Sequence, residues 1–170
     1  QVINDPINSL HETFREALKY QRDGQLDLAV KFYKLFLSSV PDQTDALNNL
    51  GVCLIELDRP HEATNILLEA LEHKELDPGL LNNLGNALQK SFQIEEAISK
   101  FELALGIQPD NVTILLNLSK NLLRLGQYRK ALVHLKKART LEPENASVAF
   151  IDSLALPVIY GSQDEIVEAR

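Results

Sequence analysis

The chain has no tryptophan, no methionine and a single cysteine among its 170 residues. One thiol, Cys53, excludes an internal disulfide framework and suits a reducing compartment, so a cytoplasmic setting is expected. Long apolar runs are missing as well. No stretch approaches the roughly 18 residues of a membrane span. The N-terminal QVINDPINSL lacks a basic segment followed by an apolar block, so no secretory signal is expected in it. Seven glycines and seven prolines are scattered, so no segment reads as a linker or low-complexity tract. Positive charge is scarce. The net charge is −7, and a phosphate-binding surface needs the opposite sign. Neither nucleic acid nor membrane is an expected partner.

Signatures of chemistry are missing too. There is no Gly-rich phosphate loop and no nucleophile elbow. The histidines His11, His61, His73 and His134 share no helical face, and no ligand set with metal spacing surrounds them. No catalytic residue, metal or cofactor is expected. Without an initiator Met and ending at Arg170 inside a helical pattern, the chain reads as a segment of a longer protein.

What is present is a repeat. LNNLG stands at 47–51 and again at 81–85, and LLNLS at 115–119, each thirty-four residues on. A fixed period of this kind decides the architecture. With position 1 at Leu10, Thr44, Pro78 and Val112, position 8 is small throughout: Ala17, Gly51, Gly85 and Ser119. Position 20 is always alanine, at 29, 63, 97 and 131. Position 24 is large, as Tyr33, Leu67, Phe101 and Leu135. Pro41, Pro109 and Pro143 fall at position 32, and in the second unit Pro78, three residues late, stands in for the missing one.

These positions have physical reasons. Apolar residues recur at helical spacing twice per unit, with a break near position 15 where Gly24 and Gly126 suit a tight turn. Small residues let two helices approach, and large ones fill the space around them. Each unit is expected to be an antiparallel pair, helix A at positions 1–14 and helix B near 17–30. One pair cannot bury its apolar face alone, so the pairs must stack.

The pattern resembles the tetratricopeptide repeat. The resemblance covers residues 10 to about 145, with a departure at position 4, which is Thr13, Leu47, Leu81 and Leu115 rather than tryptophan. It implies an all-α, right-handed superhelical solenoid of four units, 10–43, 44–77, 78–111 and 112–145. Residues 1–9 lead in, and 146–170 supply a capping helix and a non-repeat segment. Glu16, where the other units carry Leu50, Leu84 and Leu118, makes the first unit more polar, as a terminal cap requires.

The resemblance also implies that the A helices line a concave groove through positions 2, 5, 6, 9, 12 and 13. Those positions hold Asn48, Asn49, Asn82, Asn83, Asn86 and Asn117 together with Arg15, Arg22, Lys90, Lys120 and Arg124. Against these five cations stand Asp45 and Glu56, so the groove leans basic in an acidic chain. An extended polypeptide, polar or acidic, is the expected partner. Asn49, Asn83 and Asn117 all fall at position 6 and should form a ladder. An amide offers a donor and an acceptor together, which can grip both backbone groups of a peptide. The alternative for the same amides is a bond to the neighbouring unit. A carboxylate clamp of the chaperone-binding kind needs cations at position 5, which here is Phe14, Asn48, Asn82 and Leu116.

Beyond the repeats, LPVIYGSQDEIVEAR (156–170) resembles a junction found in bacterial O-GlcNAc transferase (SPINDLY-like) proteins. Leu156, Pro157, Ile159, Tyr160, Ser162, Glu165, Ile166 and Arg170 carry the match. Three functions follow as expectations. The first is a protein–protein interaction module that binds a polypeptide in its groove. The second is the substrate-recruiting arm of an O-linked glycosyltransferase whose catalytic region lies past Arg170. The third is a self-association scaffold, a homo-oligomer using the apolar strip Val158–Tyr160.

Overall fold

A computed structural model describes residues 6–74, 76–151 and 153. Eight helices follow in order: α1 (Pro6–Arg22), α2 (Leu26–Leu37), α3 (Thr44–Glu56), α4 (Pro60–His73), α5 (Pro78–Lys90), α6 (Ile94–Ile107), α7 (Val112–Arg124) and α8 (Tyr128–Leu141). Residues 146–151 are helical again. No strand occurs among the described residues. The A helices are α1, α3, α5 and α7, and the B helices are α2, α4, α6 and α8. The first A helix starts at Pro6, four residues ahead of the repeat frame, with proline in the first turn where its missing N–H costs nothing.

Each later A helix starts on a side-chain cap. The side chains of Gln43, Asp77 and Asn111 accept hydrogen bonds from the backbone N–H of Ala46 (2.7 Å), Leu80 (2.9 Å) and Ile114 (3.2 Å). Each satisfies an N–H that the helix itself leaves unpaired. Asn145 does the same for Val148 at 3.2 Å. Positions 43, 77, 111 and 145 are thirty-four apart, so the helix at 146 begins in register with the repeat. Pro78 does not end the second B helix, which stops at His73; it opens α5 behind the Asp77 cap.

The A-to-B turn is the same in all four repeats. Gly24, Asp58, Phe92 and Gly126 have φ of 72°, 57°, 62° and 71°. Their N–H groups donate to the carbonyls of Gln21, Ile55, Gln89 and Leu123 at 3.0–3.2 Å, one of the two bonds that close a helix with a left-handed residue. Glycine takes that conformation freely. Asp58 and Phe92 hold it at a cost of about 1–2 kcal/mol.

The helices fall into two compact units, Gln1–Phe92 and Gln93–Arg170. In the first, α1 packs on α2, α2 on α3, α3 on α4, and α5 on both α3 and α4. In the second, α7 packs on both α6 and α8. The core is built from the positions the repeat singles out. Ala29, Ala63, Ala97 and Ala131 are fully buried, as are Tyr33, Leu67, Phe101 and Leu135. Gly51 shows why position 8 is small: a Cβ there would lie 2.7 Å from Leu67 Cγ. Ser119, at the same position, is fully buried. Its hydroxyl donates to the Leu115 carbonyl at 2.7 Å and lies 3.4 Å from the carbonyl of Ala131.

Candidate functional site

In the first unit, α3 and α5 bring four asparagines onto one surface. Asn48, Asn82, Asn83 and Asn86 are all half-buried. The Asn83 side-chain amide donates to the Asn48 side-chain carbonyl at 2.8 Å, and Asn82 donates to Asn83 at 3.4 Å. The first of these bonds crosses from one repeat to the next. The Asn86 side chain makes no hydrogen bond to another described residue. A primary amide has two donors and two acceptor lone pairs. One donor of Asn83 and one lone pair of Asn48 are used in their mutual bond, so both keep capacity for a further partner.

Asn49 behaves differently. Its side chain sits near the Tyr33 hydroxyl, which itself donates to Gln21 Oε1 at 2.5 Å. One buried phenol thus ties α2 to α1. Burial pushes the Tyr33 pKa up to about 12; the charge of an ionised Cys53 adds to the rise, and the nearby Asn49 amide opposes it. Phe14 packs against the same ring edge-on at 6.0 Å and against Phe36 at 4.9 Å. The position-6 residues Asn49 and Asn83 therefore both reach into the preceding repeat. One signal for this cluster is visible in the repeat: position 24 is a tyrosine only in the first unit, where a hydroxyl needs partners.

The cations of the same face are spread. Lys90 Nζ donates to Asp58 at 3.2 Å, so this residue is already engaged by the turn of the second repeat. Arg22 lies 3.8 Å from Asp23, and Arg15 is exposed. In the second unit, α7 exposes Lys120 and Arg124. Asn117 is half-buried there, and its backbone carbonyl accepts from the Asn121 side chain at 2.8 Å. Lys120 borders an open hollow of about 270 Å³ with Ala146, Ser147, Phe150 and Ile151. Arg15, Lys120 and Arg124 form no ion pair with another described residue.

Cys53 is buried, and burial raises its thiol to about 11, with the Glu56 charge adding to the rise. A thiol held that far above neutral pH is a packing group. Among the described residues, no group of three or more His, Cys, Asp or Glu side chains could hold a metal ion. None of the described helices is long and apolar enough to cross a membrane. The junction residues 156–170 and the Val158–Tyr160 strip lie outside the described residues.

Helix pairs repeated every thirty-four residues and joined by left-handed turns define an α-helical repeat protein of the solenoid class. Two family models, each described as a tetratricopeptide repeat, match residues 44–72 and 88–149, between them more than half of the chain. The chain is a tetratricopeptide repeat protein. Solved structures agree on the fold. The MamA protein superposes with a TM-score of 0.83 at 20% identity, covering 94% of this chain and 86% of that one. A tetratricopeptide repeat protein of Parabacteroides merdae gives 0.82 at 18% identity, covering 95% and 64%. A structure of pilF from Pseudomonas aeruginosa gives 0.77 at 22%, covering 88% and 68%. In sequence, protein FlbA of Caulobacter vibrioides is 33% identical over 84 residues. That stretch is 49% of this chain and 14% of FlbA, so the chain spans a small part of that relative.

Proposed function

We propose that the A-helix face of the first unit binds an extended polypeptide. A tetratricopeptide array is in general a protein–protein interaction module, and here one observation carries the finer reading. Asn48, Asn82, Asn83 and Asn86 form a half-buried amide row in which Asn83 and Asn48 hold each other in place. Amides fixed by each other lose little freedom when a ligand arrives, which favours binding. They bond peptide groups whatever the side chains between them, so recognition is broad. The exposed Arg15 adds a preference for acidic sequences. The reading assigns the segment no chemistry of its own. The recruiting-arm reading of an O-linked glycosyltransferase rests on the resemblance in 156–170 alone, and sequence past Arg170 tests it.

The test is fluorescence anisotropy with labelled extended peptides of acidic, neutral and basic composition. Asn86→Ala and Asn48→Ala should each weaken binding about fivefold, the loss of one hydrogen bond worth about 1 kcal/mol. Asn86→Ala should do so without shifting the melting temperature, because that amide bonds no other described residue. Unchanged affinity in both variants refutes the proposal.

A further inference from the structure

The outward surface of the second unit carries a charge pattern that the peptide-binding reading does not use. Glu95, Glu96 and Glu102 are exposed on α6. Thirty-four residues later, at the equivalent positions of α8, stand Arg129, Lys130 and Lys136, also exposed. Three acids are thus replaced by three bases at matching places on two helices of one unit. The helices lie side by side: both pack on α7, Asp110 just past α6 pairs with Lys137 of α8 at 2.9 Å, and Glu102 acts electrostatically on His134. Yet none of Glu95, Glu96, Arg129, Lys130 or Lys136 forms an ion pair among the described residues.

Local helix electrostatics do not explain the bases. Arg129 and Lys130 sit in the first turn of α8, which has no acidic residue there. A helix N-terminus repels cations, at a cost of about 0.3–1 kcal/mol each. The same two helices also expose apolar side chains. Leu103 is 50% and Val133 66% exposed, and Ile107 and Leu141 join them. Steps of four and seven residues keep these side chains on the same faces as the charges.

We infer that this face is an isologous interface between two copies of the chain, with α6 of each copy meeting α8 of the other. A twofold axis brings each acidic strip onto the partner's basic strip and buries the apolar residues between them. Such a surface is complementary to itself, and that is the reason to assign it to a second copy rather than to an unrelated acidic or basic protein. A chain of net charge −7 repels its own kind at long range. Association must therefore come from local complementarity and should weaken as salt is added.

Sedimentation equilibrium of the whole 170-residue chain over a concentration series tests this. The wild type should dimerise, and in half-molar salt the dissociation constant should rise by about tenfold or more. Two variants give the decisive comparison. R129E/K136E makes both strips acidic, and E95K/E102K makes both basic. Each alone should be monomeric, with helical circular dichroism unchanged because all four positions are exposed. Mixed in equal amounts they should dimerise again, since each acidic strip then faces a basic one in both halves of the interface. A monomeric wild type overturns the inference. So does a dimer that survives in either variant alone, or a mixture that stays monomeric. Loss of the dimer in R129E/K136E only would also overturn it, and would direct the basic strip to another acidic surface, such as that of α4.

Discussion

An alanine at position 51 sets two physical rules against each other. Helix propensity favours it by about 1 kcal/mol, since glycine is the poorest helix former after proline. Packing opposes it. The new Cβ would stand 2.7 Å from Leu67 Cγ and 2.8 Å from Cδ2. Carbon atoms in contact prefer roughly 3.5–4.0 Å. Leu67 is fully buried and cannot swing into solvent. Its Cγ is the branch point of the side chain, not a flexible tip, so relief requires α3 and α4 to part. Overpacking of this kind costs about 1–3 kcal/mol. After subtracting the propensity gain, Gly51→Ala should destabilise by up to about 2 kcal/mol. Urea unfolding followed by circular dichroism should show a lower midpoint with an unchanged slope. Leu67→Ala tests the cause. Alone it should cost about 2–5 kcal/mol. Combined with Gly51→Ala it removes the atoms the new Cβ meets, so the double variant should be about 1 kcal/mol more stable than the sum of the two losses. A Gly51→Ala protein at least as stable as the wild type, or strict additivity, refutes the reasoning.

Phe92 is 79% exposed and left-handed, so Phe92→Gly removes strain and forfeits almost no burial. It should stabilise by about 0.5–1 kcal/mol once the entropy of the added glycine is counted, and a lower urea midpoint would contradict this. Asn83→Ala should cost about 1 kcal/mol through the lost bond to Asn48; an unfolding curve identical to wild type would count against it. Tyr33 and Cys53 are both raised in the folded state, from 10.0 to about 12 and from 9.0 to about 11. The unfolded chain then ionises first as pH rises. The stability they contribute is full below pH 9.0 and is lost through the window up to about 12. Tyr33→Phe should flatten the alkaline fall of the urea midpoint above pH 10.0, and an identical fall in both proteins speaks against it.

The repeat was legible because its requirements are local and steric. An alanine at position 20 in every unit and a small residue at position 8 report how closely two helices cross, whatever surrounds them. The turn was half legible. Gly24 and Gly126 declare a left-handed residue openly, whereas Asp58 and Phe92 adopt it because the flanking helices fix the turn geometry. The register of the helix at 146 was visible only in the caps, since Gln43, Asp77, Asn111 and Asn145 differ in type and share only an acceptor oxygen. The bonds among the amides were not legible. Whether Asn83 meets Asn48 or an incoming peptide depends on side-chain angles, which no spacing encodes. The charge exchange between α6 and α8 was written in the sequence throughout, but it acquires meaning only once exposure places all six residues on one outward surface.

The phenol of Tyr33 has a mechanical consequence. Apolar contacts yield gradually under load, because packed side chains can slide past one another while still touching. A hydrogen bond does not: it is gone by about 3.6 Å between heavy atoms. Pulled from its N-terminus, the first hairpin must break the Gln21–Tyr33 latch before α1 can peel from α2. The latch makes this end of the array brittle. In a force–extension trace the first repeat should resist and then release as one step.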